Sequence, residues 1–469
     1  MDTPLDPGRR GFLSAAAFTA AAAVVGPATF ASGRSRNIAA SGDAATPPPQ
    51  RPAKAQGKLR IAAIGCGGQG NGDLTNLRSH PDVSIVAVCD VDAGTLAAQA
   101  KKFACKAFRD YRALFKDFDS EFDAVLVSTP DHSHALPASR ALKLGKHVYC
   151  QKPLTHNIQE ARTLSSLFLK QNGKVATQMG TQRAANTGKR QALVVFADGI
   201  IGKATAVHAW SDRPGTRFGH GADRLLGADP VPPSLDWDLW LGGAPWRPYK
   251  KGQYAPFQWR SYRDFGTGAV GDMGCHILDS AFFALNLGRA LSVKSSCENS
   301  TAEQCPTRQR CDMLFPGTEH TATDRLPLTW YDGQWPMDLP SMGIPKDDGA
   351  KIPANTCIII GEKGTLVINE DGENRLYRDG KRAELKAPDM PKLNHYHQWV
   401  DACLGRSDCR TPFDFAANLT EALLLSAIAS QFPEQELLWH GESMQFTSNA
   451  GANAFVGRKY TAGFEVLDV

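Results

Sequence analysis

Three short stretches of the 469-residue chain carry residue types at spacings that suit chemistry. The first is Gly65-x-Gly67-x-x-Gly70, straight after the apolar run 59–64 and straight before a helical pattern. Gly65 permits a tight turn, Gly67 lets the backbone approach a pyrophosphate, and Gly70 allows helix and strand to pack closely; Gly68 and Gln69 complete the loop. The helix N-terminus then offers free N–H groups and a positive dipole end to phosphates. The second stretch is Gln151-Lys152-Pro153, which pins a lysine between the strand-like run 147–150 and a proline. Pro153 fixes its own φ and biases Lys152 toward extended backbone, so the ammonium is aimed. The third is Asp272-x-x-x-His276 in "GAVGDMGCHILD". Residues four apart share one helix face, so both side chains reach one bound group. Spacing alone leaves Asp272 equally a helix N-cap and His276 equally a hydrogen-bonded core histidine. Gly271 and Gly274 are small enough to let a ligand come close. Asp279, one turn on, reads as an orienter of His276, a cap or a substrate contact.

The elements that must position these groups are legible in the first half. "VSIVAVCDVD" is a second strand, ending at Asp90, twenty residues beyond Gly70. A carboxylate at that distance meets the adenosine ribose hydroxyls and repels a 2′-phosphate, which favours NAD over NADP. Asp92 serves the next helix as N-cap equally well, which leaves Asp90 free. Apolar strands continue to alternate with amphipathic helices through "FDAVLVSTP", "HSHALPASRALKLG", "KHVYC", "NIQEARTLSSLFLKQNG" and "KVATQMG". That pattern predicts an α/β fold with a doubly wound parallel sheet, whose ligands bind beyond the carboxyl ends of the strands. Thr129, Pro130 and His134 follow one strand end, Gln151 and Lys152 a second, and Gln182 a third. These loops are expected to converge on the nicotinamide.

Together, Gly65-x-Gly67-x-x-Gly70, Thr129-Pro130-Asp131-x-x-His134, Lys152-Pro153 and "GDMGCHILD" resemble the Gfo/Idh/MocA oxidoreductases. The resemblance implies a Rossmann domain (57–178) followed by an α+β domain (179–469) with a mostly antiparallel open sheet, and dimers or tetramers built through it. It implies that Lys152, Asp272 and His276 carry the acid/base work of hydride transfer between NAD and a carbohydrate. His276, ordinarily near pKa 6.5, is then the proton acceptor, Asp272 its orienter or a ligand of a substrate hydroxyl, and Lys152 the polarising donor. The reverse assignment of His276 and Lys152 fits nearly as well. The family usually writes Glu-Lys-Pro; Gln151 departs from it, and a neutral glutamine is expected to withdraw support from the lysine's charge. Aromatics are dense from Trp210 to Tyr262, so a few, Trp246 among them, are expected on a sugar, with Arg213, Arg247 and Arg260 as further contacts. The remaining aromatics read as packing. His395 and His397 read as surface or substrate-rim residues.

Arg9-Arg10-Gly11-Phe12-Leu13, the Ala-rich run to Val25 and the small residues near Ala31 resemble a twin-arginine export signal (1–31), followed by a Pro/Ala-rich linker (32–56). Export machinery and a periplasmic location follow as expectations. The apolar run is too short to span a membrane, which takes roughly 20 residues. Six Lys/Arg against three Asp/Glu in residues 1–56 supply most of the net charge of +4, so a nucleic-acid partner is not indicated. None of the eleven cysteines has metal-ligand spacing; Cys297, Cys305 and Cys311, or Cys403 and Cys409, suit disulfides as well as buried packing. An exported dinucleotide enzyme must keep its cofactor and return it to its starting redox state. Two schemes do this: oxidation of one sugar with reduction of a second carbonyl compound, or a redox-neutral glycosidase cycle. A non-catalytic sugar- or nucleotide-binding protein is the reading from another class.

Overall fold

The computed structural model describes residues 57–213, 226–333, 335, 337–349 and 352–466. The expected export signal and linker lie outside them. The chain runs through β1 (Leu59–Ile64), α1 (Gly68–Arg78), β2 (Val83–Cys89), α2 (Ala93–Phe103), β3 (Lys106–Phe108) and α3 (Tyr111–Asp117). β4 (Ala124–Val127), α4 (Ala135–Lys143), β5 (His147–Cys150), α5 (Ile158–Lys170) and β6 (Thr177–Met179) complete the first sheet. All neighbours in it are parallel, in the order β3-β2-β1-β4-β5-β6. The central strands are buried on both faces, which is why 59–64 and 124–127 read as unbroken apolar runs and not as alternation. Asp92 caps α2, accepting from the Thr95 N–H.

The second half opens with α6 (Thr187–Ala197), β7 (Ala204–Ser211), α7 (Trp237–Leu241) and α8 (Gly268–Leu285). β8 (Ser292–Glu298), β9 (Arg308–Pro316), β10 (Arg325–Asp332), the single turn α9 (Lys346–Gly349), β11 (Thr356–Gly361), β12 (Gly364–Asn369), β13 (Arg375–Arg378) and β14 (Lys381–Ala383) follow. α10 (His395–Cys403), α11 (Phe413–Ala429), β15 (Glu436–His440) and β16 (Gln445–Phe446) end the chain. Ten strands form one sheet, β14-β13-β12-β11-β7-β10-β9-β8-β15-β16, antiparallel except for β7 beside β10. α8 is buried along almost its whole length because it is apolar all round. Gly271 and Gly274 serve that packing and not a ligand: a Cβ on either would collide with Thr267 or Leu423.

The two halves share one continuous hydrophobic core. The chain also returns: Tyr396, Trp399 and Val400 of α10 pack with Leu59 and Ile61 of β1 and Leu74 of α1. Most of the aromatics between Trp237 and Phe265 form a separate small core, with Trp237 stacked on Trp240 and Tyr254. Cys297, Cys305 and Cys311, and likewise Cys403 and Cys409, are free thiols, so of the two readings left open for these cysteines the structure shows the unbridged one. No helix among the described residues is long and apolar enough to cross a membrane.

The glycine loop has no slack. A Cβ on Gly70 would lie 2.0 Å from the Gly65 carbonyl oxygen, and Gly65, at φ +81°, is itself hemmed in by the Ser128 backbone. Gly70→Ala is therefore expected to cost about 3 kcal/mol, because neither backbone can yield. Chemical unfolding of the purified variant measures this, and an unchanged midpoint contradicts it.

Candidate active site

A cleft of about 750 Å³ runs across the carboxyl ends of the first sheet, with α8 as its far wall. Gly65, Gly67, Gly68, Gln69 and Asp90 line one end; Thr129, Pro130, His134, Gln151, Lys152, Gln182, Arg213, Asp272 and His276 line the remainder. Gly70 lies beneath the loop and acts through packing alone.

At the first end the chain fits a dinucleotide. Gly67 sits at the N-cap of α1 with no side chain to close its N–H groups, and at Gly68 (φ +44°) the space a Cβ would take is open. Asp90 accepts from the Cys66 N–H at 2.7 Å and the Asp92 N–H at 3.0 Å, so it shapes the loop as well as facing the cleft. Burial raises its pKa, against these hydrogen bonds. Arg109 reaches the same end, although the sequence around Asp90 offers no arginine; it donates to the carbonyl oxygens of Val91 and Ser234.

A strap from the second half closes over this end. Ala93 N–H donates to Ser234 O at 2.8 Å, Asp236 N–H to Val91 O at 3.0 Å, and Ser234 Oγ to Asp92 at 2.6 Å. Pro232, Ser234, Leu235, Leu239 and Trp240 thereby line the cleft, together with Phe464 from the C-terminal tail.

At the other end, three cations meet one carboxylate. Asp272 accepts from Lys152 Nζ at 2.8 Å and Arg260 Nε at 3.3 Å on Oδ1, and from Arg213 at 2.8 Å on Oδ2. Burial alone would raise the Asp272 pKa; the charges of Lys152, Arg260 and Arg213 outweigh it and hold the carboxyl well below its usual range. Asp272 thus anchors the cations. It neither orients His276 nor caps α8, since it lies in the second turn of that helix. His276 is half-buried on the same face; burial, then the charge of Lys152, hold its pKa well below 6.5, so the ring is neutral at neutral pH. Its Nδ1 has no hydrogen-bond partner among the described residues. The Lys152–Pro153 bond is cis.

His134 ties two loops together, with Nδ1 2.8 Å from Pro153 O and Nε2 2.8 Å from Thr129 O. Two carbonyl acceptors favour an imidazolium, but burial prevails and lowers its pKa to about 4. One ring nitrogen therefore donates at neutral pH.

Three expected substrate residues lie elsewhere. Arg247 is buried in the aromatic core, paired with Asp264 and Glu303, its guanidinium over the Tyr254 and Phe265 rings. Trp246 is 67% exposed and outside the cleft. Asp279 is fully buried and paired with Lys189, which also donates to the His276 backbone carbonyl. His395, expected near the surface, is buried against Met179 O. Aromatic richness and charge type marked these positions, but their pairing with distant residues decides where they go.

The sequence reading gave no role to Asp131, which it quoted only within a motif, and missed Glu370; both are buried carboxyls that also line the cleft. Asp131 accepts from Thr267 Oγ1 at 3.0 Å; burial raises its pKa to about 7 against the pull of Lys152 and Arg260. It also missed Asp73, whose signal was present. Gly70, Asp73, Leu74 and Leu77 are the buried residues of α1, so a carboxylate occupies the apolar stripe. No cluster of His, Cys, Asp and Glu suited to a metal occurs among the described residues.

The family model described as an oxidoreductase family with an NAD-binding Rossmann fold, GFO_IDH_MocA, matches residues 59–179. The model of the family's C-terminal alpha/beta domain matches residues 195–315, and together they cover about half of the chain. An inositol 2-dehydrogenase of Salmonella typhimurium is 33% identical over 153 residues, which are 32% of this chain and 45% of that protein. The chain thus spans about half the length of the curated relatives it matches. Among solved structures, the WlbA dehydrogenase from Chromobactrium violaceum, in complex with NADH and UDP-GlcNAcA, superposes with TM-score 0.58 at 14% identity, covering 83% of this chain and 98% of that one. An aldose-aldose oxidoreductase from Caulobacter crescentus superposes with TM-score 0.56 at 15% identity, covering 81% and 99%. At these identities the likeness is one of fold.

Proposed function

We propose, for a chain that belongs to the Gfo/Idh/MocA oxidoreductase family, hydride transfer between a firmly held NAD and a hydroxyl or carbonyl carbon of a carbohydrate. The observation that carries this reading is the meeting of Lys152, Asp272 and His276 in the same cleft as the glycine loop. Bound NAD supplies the hydride acceptor, and its reduced form the donor. The chain's own residues manage the proton and the geometry. Asp272 fixes Lys152, so that the ammonium polarises the substrate oxygen. His276 is neutral at the working pH and takes the hydroxyl proton. Lying between the Thr129 and Pro153 carbonyls and donating to one of them, His134 joins the two loops on either side of the lysine. A carbohydrate substrate is supported by what the similar proteins act on, an inositol dehydrogenase and an aldose-aldose oxidoreductase among them.

Asp90 and Asp92 at the adenosine end favour NAD over NADP. The strap over that end supports retention of the cofactor, and the twin-arginine-like start supports export of the folded, loaded protein to the periplasm. Retention requires each oxidation to be followed by a reduction, so a second carbonyl compound closes the cycle. Assembly as dimers or tetramers is part of the same reading.

Heat-denaturing the purified protein and assaying the supernatant for NAD(H) tests it. Release in near-stoichiometric amount is expected, and an empty supernatant overturns retention. Polyols and aldoses added to the intact protein are expected to change the nicotinamide absorbance; silence across both classes overturns the substrate reading.

A further inference from the structure

Asp73 has no accessible surface and lies in the second turn of α1, directly behind the cleft wall. Among the described residues no lysine or arginine forms an ion pair with it. Its partners are four neutral donors. Oδ1 accepts from Gln69 Nε2 and from the Tyr396 hydroxyl, each at 2.8 Å; Oδ2 accepts from Ser128 Oγ at 2.7 Å and Gln151 Nε2 at 2.8 Å. An ionised carboxylate has about four acceptor sites, and here all are used, which is the condition for burying it at tolerable cost.

Three of the four donors come from other parts of the chain. Gln69 stands one turn before Asp73 on α1, within the glycine motif, while Ser128 follows β4, Gln151 follows β5 and Tyr396 is on α10. Gln69, Ser128 and Gln151 line the cleft. Gln151 precedes Lys152, and its side chain has no freedom. Nε2 is on Asp73, while Oε1 lies close enough to Gly180 that a Cβ there would be 2.6 Å away.

We propose that Asp73 is the positioning residue of this active site: one buried acceptor that holds the glycine loop, two strand ends and the Lys152 turn in a single arrangement. It is also the reason position 151 carries an amide. A glutamate there would set a second carboxylate against Asp73, and two carboxylates at that distance share a proton or repel. The inference rests on the dinucleotide reading above for its function, but its geometry stands apart from it.

The test is a reciprocal exchange: Gln151→Glu, Asp73→Asn and the double variant, which rebuilds an amide–carboxylate pair the other way round. NADH-loaded protein is diluted and the fall in fluorescence gives the release rate, alongside the thermal midpoint of each variant. Gln151→Glu is expected to release NADH at least about tenfold faster near pH 8 and to recover toward pH 6, where the pair shares a proton. The double variant is expected within about threefold of the parent at both pH values. A merely structural amide would not give this pH dependence. A Gln151→Glu protein that matches the parent at both pH values, or a double variant no better than the worse single one, overturns the proposal. So does loss of folding in the double variant. If the parent takes up no NADH, the dinucleotide reading fails, and the same cycle read on thermal midpoints decides the pairing.

Discussion

Replacing Lys152 by methionine is expected to lower kcat about a thousandfold while NADH release changes by no more than about threefold. The side chain is 15% exposed and its ammonium is fixed on Asp272 at 2.8 Å, so methionine keeps the stem and removes only the charge. Asp272 is not orphaned by the change, because Arg213 and Arg260 still share its two oxygens. The loss should therefore appear in the chemical step and not in folding. Steady-state rates on the best polyol or aldose, with thermal midpoints as control, measure it. A tenfold loss or less, or an equal fall in stability, would remove Lys152 from the chemistry.

Acid is expected to unfold the protein well before its carboxylates are neutralised in bulk. His132 and His395 are buried with pKa values lowered to about 3 and about 4, and His156 and His276 are also held well below 6.5, burial being the first cause throughout. A lowered histidine costs nothing above pH 6.5, where both states are neutral. Below it the unfolded chain takes up a proton that the folded one refuses. Asp131 and Asp332 act in the opposite sense, since burial raises both to about 7 and the folded state keeps their protons where the unfolded chain loses them. The lowered histidines, His134 among them, outnumber these two aspartates; Asp90, Asp279 and Glu370, also raised by burial, reduce the margin, so on balance unfolding takes up protons between pH 5 and 6 and stability falls as the pH drops. Urea midpoints from pH 7.5 down to 5.5 check the slope; a flat or rising midpoint contradicts it.

Much of the first sheet was legible because its residues signal locally. Continuous apolar strands, a glycine loop between strand and helix, and Asp92 as a cap all act within a few residues of where they stand. The Asp272–His276 spacing was legible for the same reason: one helix carries both. What stayed hidden depends on partners far along the chain. β7 pairs with β10 and β11, more than a hundred residues on, and no local pattern specifies that register. Arg247 and Trp246 are adjacent and both looked like sugar contacts, yet one is sealed under an aromatic core and the other faces solvent. Asp272 was read as an orienter of His276 or a ligand of a substrate hydroxyl because the two arginines that share it could not be seen from its own helix. Gln151 was the most instructive case. The carboxylate missing beside the lysine is matched by Asp73, seventy-eight residues earlier, on the buried stripe of α1.

The strap across Asp92 has a kinetic consequence. On the proposed retention of the cofactor, the Ser234 and Asp236 contacts to Val91 and Ala93 would have to part before it leaves, and exchange would run on the clock of a local opening and not of diffusion. Each loading of the site would then support a finite run of catalytic cycles, whose length would be the ratio of the turnover rate to the opening rate of the strap. Strengthening these few contacts would lengthen the run without touching a residue that meets the substrate.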